Sequence, residues 1–237
     1  MDDRLNVLSN ERNILRSEIL SLKQCQVHYF WGSVTAAGAL LGLGSKLGSQ
    51  DSSTLFYLAP LVIILPCWLI FFDKATTITR IVGYSRLLEY LIINPIDIDF
   101  AYIGWENALS LFRSRNLPKP GFGELLKRFF KYLTDILKAI PLLFSFKSAH
   151  RYWSLNWLTF FGVSTFCWSL GFFFARPGNV SLLILFGILL FISSLHNLYL
   201  LKNLINGKFS YNSNEETWKN ILKKEGHKYL SEHFQIN

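Results

Sequence analysis

Four long stretches of this 237-residue chain contain no Asp, Glu, Lys or Arg. They are Tyr29–Gly44, Leu55–Phe72, Trp153–Ala175 and Val180–Leu201. The last three have about 18 to 23 residues, close to the roughly 20 that a helix needs to cross about 30 Å of hydrocarbon, and the first reaches that length if it continues to Leu47. The sequence therefore predicts four transmembrane helices.

The alternative is a soluble helical bundle, in which each helix would carry charged residues every few positions on its outer face. These windows carry none, and only 17% of the chain is charged, against about 25% in an average soluble domain. A cleaved signal peptide is also disfavoured, because a long segment of mixed charge precedes the first apolar window and no small-residue cleavage pattern ends it. We expect no segment to be removed.

The basic residues indicate the orientation in the membrane. Of the 24 Lys and Arg residues, 22 lie before the first window, between the second and third, or after the fourth, and only Lys46 and Arg176 lie in the two short connections. Because Lys and Arg concentrate on the cytoplasmic side of membrane proteins, both termini and the central segment are predicted to be cytoplasmic. The predicted location is a bacterial inner (plasma) membrane.

The predicted fold class is therefore all-α, a polytopic membrane protein with two transmembrane hairpins and a helical cytoplasmic domain between them. The predicted segments are an amphipathic cytoplasmic N-terminal helix (1–27), hairpin 1 (28–72), the cytoplasmic domain (73–149) with a basic amphipathic helix (124–146), hairpin 2 (150–201) and a cytoplasmic tail (202–237). The amphipathic helix is typical of one lying on an anionic leaflet, although it would equally suit a cap on the cytoplasmic domain.

Each hairpin begins with an aromatic group, "HYFW" at residues 28–31 and "HRYW" at 150–153. Tyr and Trp prefer the depth of the lipid headgroups, so Trp31, Trp153 and Trp157 are assigned to an aromatic belt at the cytoplasmic interface. The similarity of the two groups suggests a duplicated two-helix unit.

The first apolar window is rich in small residues, with the pairs Gly38-x-x-x-Gly42 and Gly44-x-x-x-Gly48. This spacing allows helix backbones to approach closely in lipid. The contact is either within one chain or between chains. We favour contact within the chain, because three other helices there need a partner.

The N-terminal segment carries a second packing surface. Leu8, Leu15, Ile19 and Leu22 follow steps of seven, four and three, the spacing of one helix face. About three heptads are marginally stable alone, so this N-terminal stripe needs a partner. The partner is either the central domain or another copy of the chain, and the second option makes it an assembly stripe.

Two helical patterns in the central segment are predicted to pack as a cytoplasmic helical hairpin. Arg86 and Glu89 lie on the first, and Trp105 and Glu106 on the second. The runs "YSRLLEYLI" (84–92) and "GWENALSLFR" (104–113) resemble a pattern in uncharacterised small bacterial inner-membrane proteins with four transmembrane helices. The resemblance implies no activity, and the four residues are candidates for a surface that contacts a partner.

Polar residues near the cytoplasmic ends of the third and fourth windows suggest either cross-helix hydrogen bonds or the lining of a vestibule. They are Asn156, Ser193, His196 and Asn197.

The chain contains no motif for nucleotide binding, zinc hydrolysis or a serine nucleophile. We predict no enzymatic activity, no catalytic residue, no cofactor and no metal. The net charge of +8 follows the membrane topology, so anionic lipid is the expected partner rather than nucleic acid. The sequence favours a membrane protein that oligomerises or docks a cytoplasmic protein partner. The alternatives are a pore or channel effector, as in bacterial phage defence, and more distantly an interfacial enzyme.

Overall fold

The structure, a computed structural model, describes residues 2–47, 53–93, 122–143 and 148–221. These residues are helical apart from short turns and contain no strand, which confirms the all-α class. Trp105 and Glu106, and with them the second half of the predicted cytoplasmic hairpin, lie outside the described residues.

Six α-helices make up the described chain. They are α1 (Asp2–Leu47), α2 (Ser53–Ile93), α3 (Phe122–Leu143), α4 (Ser148–Phe173), α5 (Val180–Asn206) and α6 (residues 211–221). A 3₁₀ turn at Pro177–Asn179 joins α4 to α5. Helix α1 continues without a break from the N-terminal stripe into the first apolar window, and α2 continues beyond its own window to Ile93.

Two of the described helices are long and apolar enough to cross a membrane, judged by length and composition. They comprise Thr54–Glu89 in α2 and Pro177–Asn206, which covers the 3₁₀ turn and α5. Spans through α1 and α4 stay predictions from the sequence.

Helices α1 and α2 lie antiparallel along most of their length. Gly44 near the end of α1 packs on Phe56 near the start of α2, while Arg12 near the start of α1 pairs with Glu89 near the end of α2. A Cβ atom at Gly44 would lie 2.9 Å from the Phe56 Cβ, so this close approach of the helices requires glycine.

Helix α2 also packs against α4 and α5, and the three helices bury a common apolar core. The Trp168 indole N–H donates to the Leu183 carbonyl at 3.0 Å, and the Thr54 hydroxyl donates to the Phe174 carbonyl at 2.7 Å. We call this part the bundle core; its largest fully buried side chains are Trp68, Phe71, Phe72, Phe160, Leu58, Leu61 and Ile64. The end of the bundle where α4 begins and α5 ends is called the inner end.

The aromatic belt differs from the sequence-based assignment. Trp31 is 61% exposed, as a residue facing lipid would be, but Trp153 and Trp157 are buried in the bundle core at 8% and 4%. Trp157 packs its ring edge-to-face on Trp68 and stacks on Phe161. Packing against α2 therefore outweighs the interfacial preference of these two rings.

Candidate functional site

The N-terminal stripe packs against the same chain. Leu8 and Leu15 are 4% and 1% exposed, and Ile19 and Leu22 pack beside them. Their partners come from the extension of α2 and from α6, which together form an apolar group separate from the bundle core. We call it the terminal cluster; its buried members are Leu8, Leu15, Ile81, Tyr84, Leu87, Leu88, Trp218 and Ile221. Assembly of copies through this stripe stays a prediction.

Polar contacts fix α6 on the extension of α2. The Trp218 indole N–H donates to the Arg80 carbonyl at 3.1 Å, and its ring lies 5.2 Å from that of Tyr84. Asn214 sits directly on Gly83, where a Cβ atom would lie 2.7 Å from the Asn214 Cβ. Any larger residue at position 83 would therefore push α6 away.

The two described residues of the predicted partner surface, Arg86 and Glu89 of α2, pair with different helices of the same chain. Glu89 pairs with Arg12 of α1 at 2.8 Å, and Arg86 pairs with Glu215 of α6 at 3.4 Å. The Arg86 guanidinium also lies 5.5 Å from the centre of the Tyr211 ring. Both residues of α2 thus hold the terminal helices, and contact with another protein through them stays a prediction.

Glu215 has two cationic neighbours. The Lys219 ammonium donates to its carboxylate at 2.7 Å, and Arg86 lies on the other side. The hydrogen bond from Lys219, assisted by Arg86, holds the pKa of the Glu215 carboxyl below its ordinary value.

Helix α3 is attached to the last turns of α5. Lys202 of α5 donates to the Asp135 carboxylate at 2.6 Å, and the rings of Tyr132 and Tyr199 lie 4.6 Å apart. Ile136 is buried in the bundle core, whereas Leu137 is 65% exposed. Among the described side chains of α3, the bundle thus covers Ile136 and leaves Leu137 exposed.

The four residues of the predicted vestibule do not share one surface. Ser193 and Asn197 are buried in the bundle, whereas the neighbouring His196 is exposed. The Asn156 amide donates to the Tyr152 carbonyl of its own helix at 2.7 Å.

Sequence reasoning missed Asn214, Trp218 and Ile221 as residues that fix the C-terminal segment. Their steps of four and three are typical of one helix face, and this was the available signal. The close contact between α6 and α2 could not be predicted in this way, because it depends on the absence of a side chain at Gly83.

The described residues contain no group of three His, Cys, Asp or Glu side chains placed to hold a metal ion. All three cysteines of the chain are free thiols. No protein-family model, curated protein or solved structure matches this chain.

Proposed function

We propose that this chain is a self-associating integral membrane protein without catalytic activity, located in a bacterial inner membrane. It crosses the membrane four times in two hairpins, with both termini and the central segment in the cytoplasm. The observation that carries the proposal is an open surface on α1 at Gly38. A Cβ atom at this position would meet nothing within 4 Å.

The exposed apolar surface supports four spans. Large apolar side chains of α1 and α4 face outward beside those of α2 and α5, with Leu43 48% exposed and Phe166 57% exposed. Only 22% of the apolar window around α5 is buried inside the chain. A contiguous apolar surface of this kind is costly in water and normal in lipid.

Helix α3 supports the position of the inner end at an anionic leaflet. Leu137 and Ile140 are exposed on one side of the helix, and Lys127, Lys131 and Lys138 are exposed on another. A helix with exposed apolar and basic faces binds the boundary between acyl chains and anionic headgroups. The lipid bilayer is accordingly the first proposed partner.

Two glycines of α1, one from each predicted pair, have different environments. Gly44 is covered by Phe56, whereas Gly38 has open space beside it, next to the small exposed residues Thr35 and Ala39. In lipid, helices associate where small residues allow backbones to approach. The open surface at Gly38 therefore favours contact between copies, while the N-terminal stripe already has a partner within the chain.

The test is the mass of the purified protein in detergent, measured by multi-angle light scattering. Wild type is expected to be at least a dimer, and Gly38→Ile to be a monomer, because the added side chain separates the two helices. Gly162→Ile is the matched control, since Gly162 is an exposed helical glycine of α4 that also has nothing within 4 Å. It should keep the wild-type mass.

A monomeric wild type, or equal masses for the two variants, would contradict the proposal. Loss of assembly in a Leu15→Ser, Ile19→Ser double variant but not in Gly38→Ile would place assembly on the N-terminal stripe instead. The pore stays an alternative proposal, and dye leakage from proteoliposomes that disappears with Gly38→Ile would support it. Docking of a cytoplasmic protein stays a prediction.

A further inference from the structure

Six buried side-chain polar atoms in the described part of the chain have no hydrogen-bond partner. They are the indole nitrogens of Trp68 and Trp157, the hydroxyl oxygens of Ser164 and Thr165, and both amide atoms of Asn197. Trp68 and Asn197 are completely buried, and Trp157 is 4% exposed. More than about 90% of buried polar groups in native proteins are hydrogen-bonded. Several unpaired polar atoms in one core therefore require an explanation.

The two indoles lie together. The rings of Trp68 on α2 and Trp157 on α4 are 5.6 Å apart and meet edge-to-face. Phe160 stacks on Trp68 at 6.0 Å and closes one side of the pair. Two N–H donors are thus enclosed in the same aromatic group.

Asn197 of α5 lies at about the same depth in the bundle as Trp157 of α4. Gly171 of α4 faces Leu183 of α5, with the Leu183 Cδ2 at 3.6 Å from where a glycine Cβ would be. Trp157 and Asn197 are each fourteen residues, or about 21 Å of helix, nearer the inner end than that contact. Ser164 and Thr165 are seven and eight residues, or about two turns, further from the inner end than Trp157, so we do not include them in the site.

The available chemistry limits what these groups bind. Two indole N–H groups and an amide NH₂ are donors, and the Asn197 oxygen is the one acceptor among these three side chains. The apolar windows of α2, α4 and α5 contain no Asp, Glu, Lys or Arg, so a buried ion there would have no counter-charge. The occupant must be uncharged and mainly an acceptor.

We propose that Trp68, Trp157 and Asn197 form a buried binding site for an uncharged oxygen acceptor. The oxygen belongs either to internal water or to the carbonyl or hydroxyl group of a small neutral solute. Buried waters typically make about three hydrogen bonds to otherwise unpaired groups, which is the number of polar side chains here. This inference does not depend on self-association.

The first test is nuclear magnetic resonance of the full chain with ¹⁵N-labelled tryptophan. The indole N–H signals of Trp68 and Trp157 should appear at the shifts of hydrogen-bonded indoles. Signals of both residues at the shifts of unbonded indoles would overturn the proposal, and this measurement needs no variant that folds.

The second test is Asn197→Leu, which keeps the branched shape and removes both polar atoms. If an occupant joins the three side chains, the variant should shift both indole signals and lower the Tm. If no occupant is present, the Asn197 amide is buried without a hydrogen bond, which is unfavourable. Its removal should then raise the Tm or leave it unchanged. That result, with both indole signals in place, overturns the site.

Asn203→Leu is the matched control. Asn203 is also buried on α5, at 4% exposure, but its amide donates to the Tyr199 carbonyl at 2.9 Å. Its loss should lower the Tm without moving the Trp68 and Trp157 signals. If it moves them as much as Asn197→Leu does, the coupling is a general packing effect and the proposal fails.

The source of the oxygen is decided on wild-type protein. Cross-relaxation between the two indole protons and water assigns the oxygen to internal water. A stoichiometric neutral compound released on denaturation and detected by mass spectrometry assigns it to a solute. Finding neither while the indole signals remain in the unbonded range excludes both sources.

Discussion

Trp218 in the terminal cluster and Trp68 and Trp157 in the bundle core are all at most 4% exposed, but the hydrogen bonding of their indole groups differs. Trp218 in the terminal cluster donates to the Arg80 carbonyl, whereas Trp68 and Trp157 in the bundle core have no partner among the described residues. The terminal cluster supplies its own hydrogen bonds and ion pairs between helices. The bundle core also has hydrogen bonds between helices, such as the one from Trp168 to the Leu183 carbonyl, but six of its buried polar atoms have no partner among the described residues. The terminal cluster thus pairs its buried indole within the chain, whereas the bundle core leaves two buried indoles without a partner among the described residues.

The outer surfaces of the terminal cluster and of the bundle also differ in polarity. Around the terminal cluster, Arg12, Arg86 and Glu215 face solvent and pair across helices. Around the bundle, the outward residues are apolar or small, and Gly38 has open space beside it. The first surface suits water, and the second suits lipid or a second copy.

The largest expected effect is the loss of the terminal cluster in Trp218→Ala. Truncating a buried tryptophan costs about 3 to 5 kcal/mol, and here it also removes the hydrogen bond to Arg80. Hydrogen exchange should show faster opening of α6 and of the first half of α1, with the bundle unchanged. Trp31→Ala is the control, because Trp31 is 61% exposed and its loss should leave α6 protected. Equal exchange in both variants would mean that Trp218 does not hold the cluster together.

A smaller loss of stability is expected when the ion pair that attaches α3 to α5 is removed. Lys202→Met breaks the contact with Asp135, whose side chain is 12% exposed, and leaves that carboxylate without its partner. Hydrogen bonds to charged groups contribute about 1.5 to 3 kcal/mol, so α3 should exchange faster by a corresponding factor while α2 and α5 do not change. Lys138→Met alters an exposed lysine of α3 and should have little effect. If both variants release α3 equally, the ion pair is not what fixes it.

Much of this arrangement was accessible from the sequence, and particular residues show the limit. The apolar windows predicted long helices because hydrophobicity and length are local properties, and the all-α class is confirmed. The spacing of Leu8 and Leu15 predicted a packing face because helical period is also local. What covers that face depends on residues far along the chain, such as Trp218, and no local pattern identifies them.

The electrostatic contacts and the bundle interior were harder to predict. Arg86 pairs with Glu215, which is 129 positions away along the chain. Trp157 has the composition and position of a residue in an interfacial belt, yet it packs on Trp68 because α4 turns that face toward α2. Periodicity describes which residues share a face, but the rotation of each helix is set by tertiary packing.

The smallest expected effect is a pH dependence of the terminal cluster that arises from Glu215. Its pKa is lowered in the folded state by the Lys219 hydrogen bond and then by Arg86, from an ordinary value of 4.5. A lowered folded pKa means that the stabilisation is present above the ordinary pKa and is lost as the pH falls through the folded value. The contribution should stay below about 1 kcal/mol, because Lys219 and Arg86 are both more than 40% exposed.

The Trp218 indole signal reports the unfolding of the terminal cluster and can be followed in urea titrations between about pH 3 and pH 7. The stability of the cluster should fall slightly toward acid pH, and Glu215→Gln should remove this acid loss. Lys219→Gln should make that loss smaller, because the folded pKa of Glu215 then lies nearer its ordinary value. An acid loss of unchanged size in Glu215→Gln would assign it to another carboxylate, and the terminal cluster would then not depend on this pair.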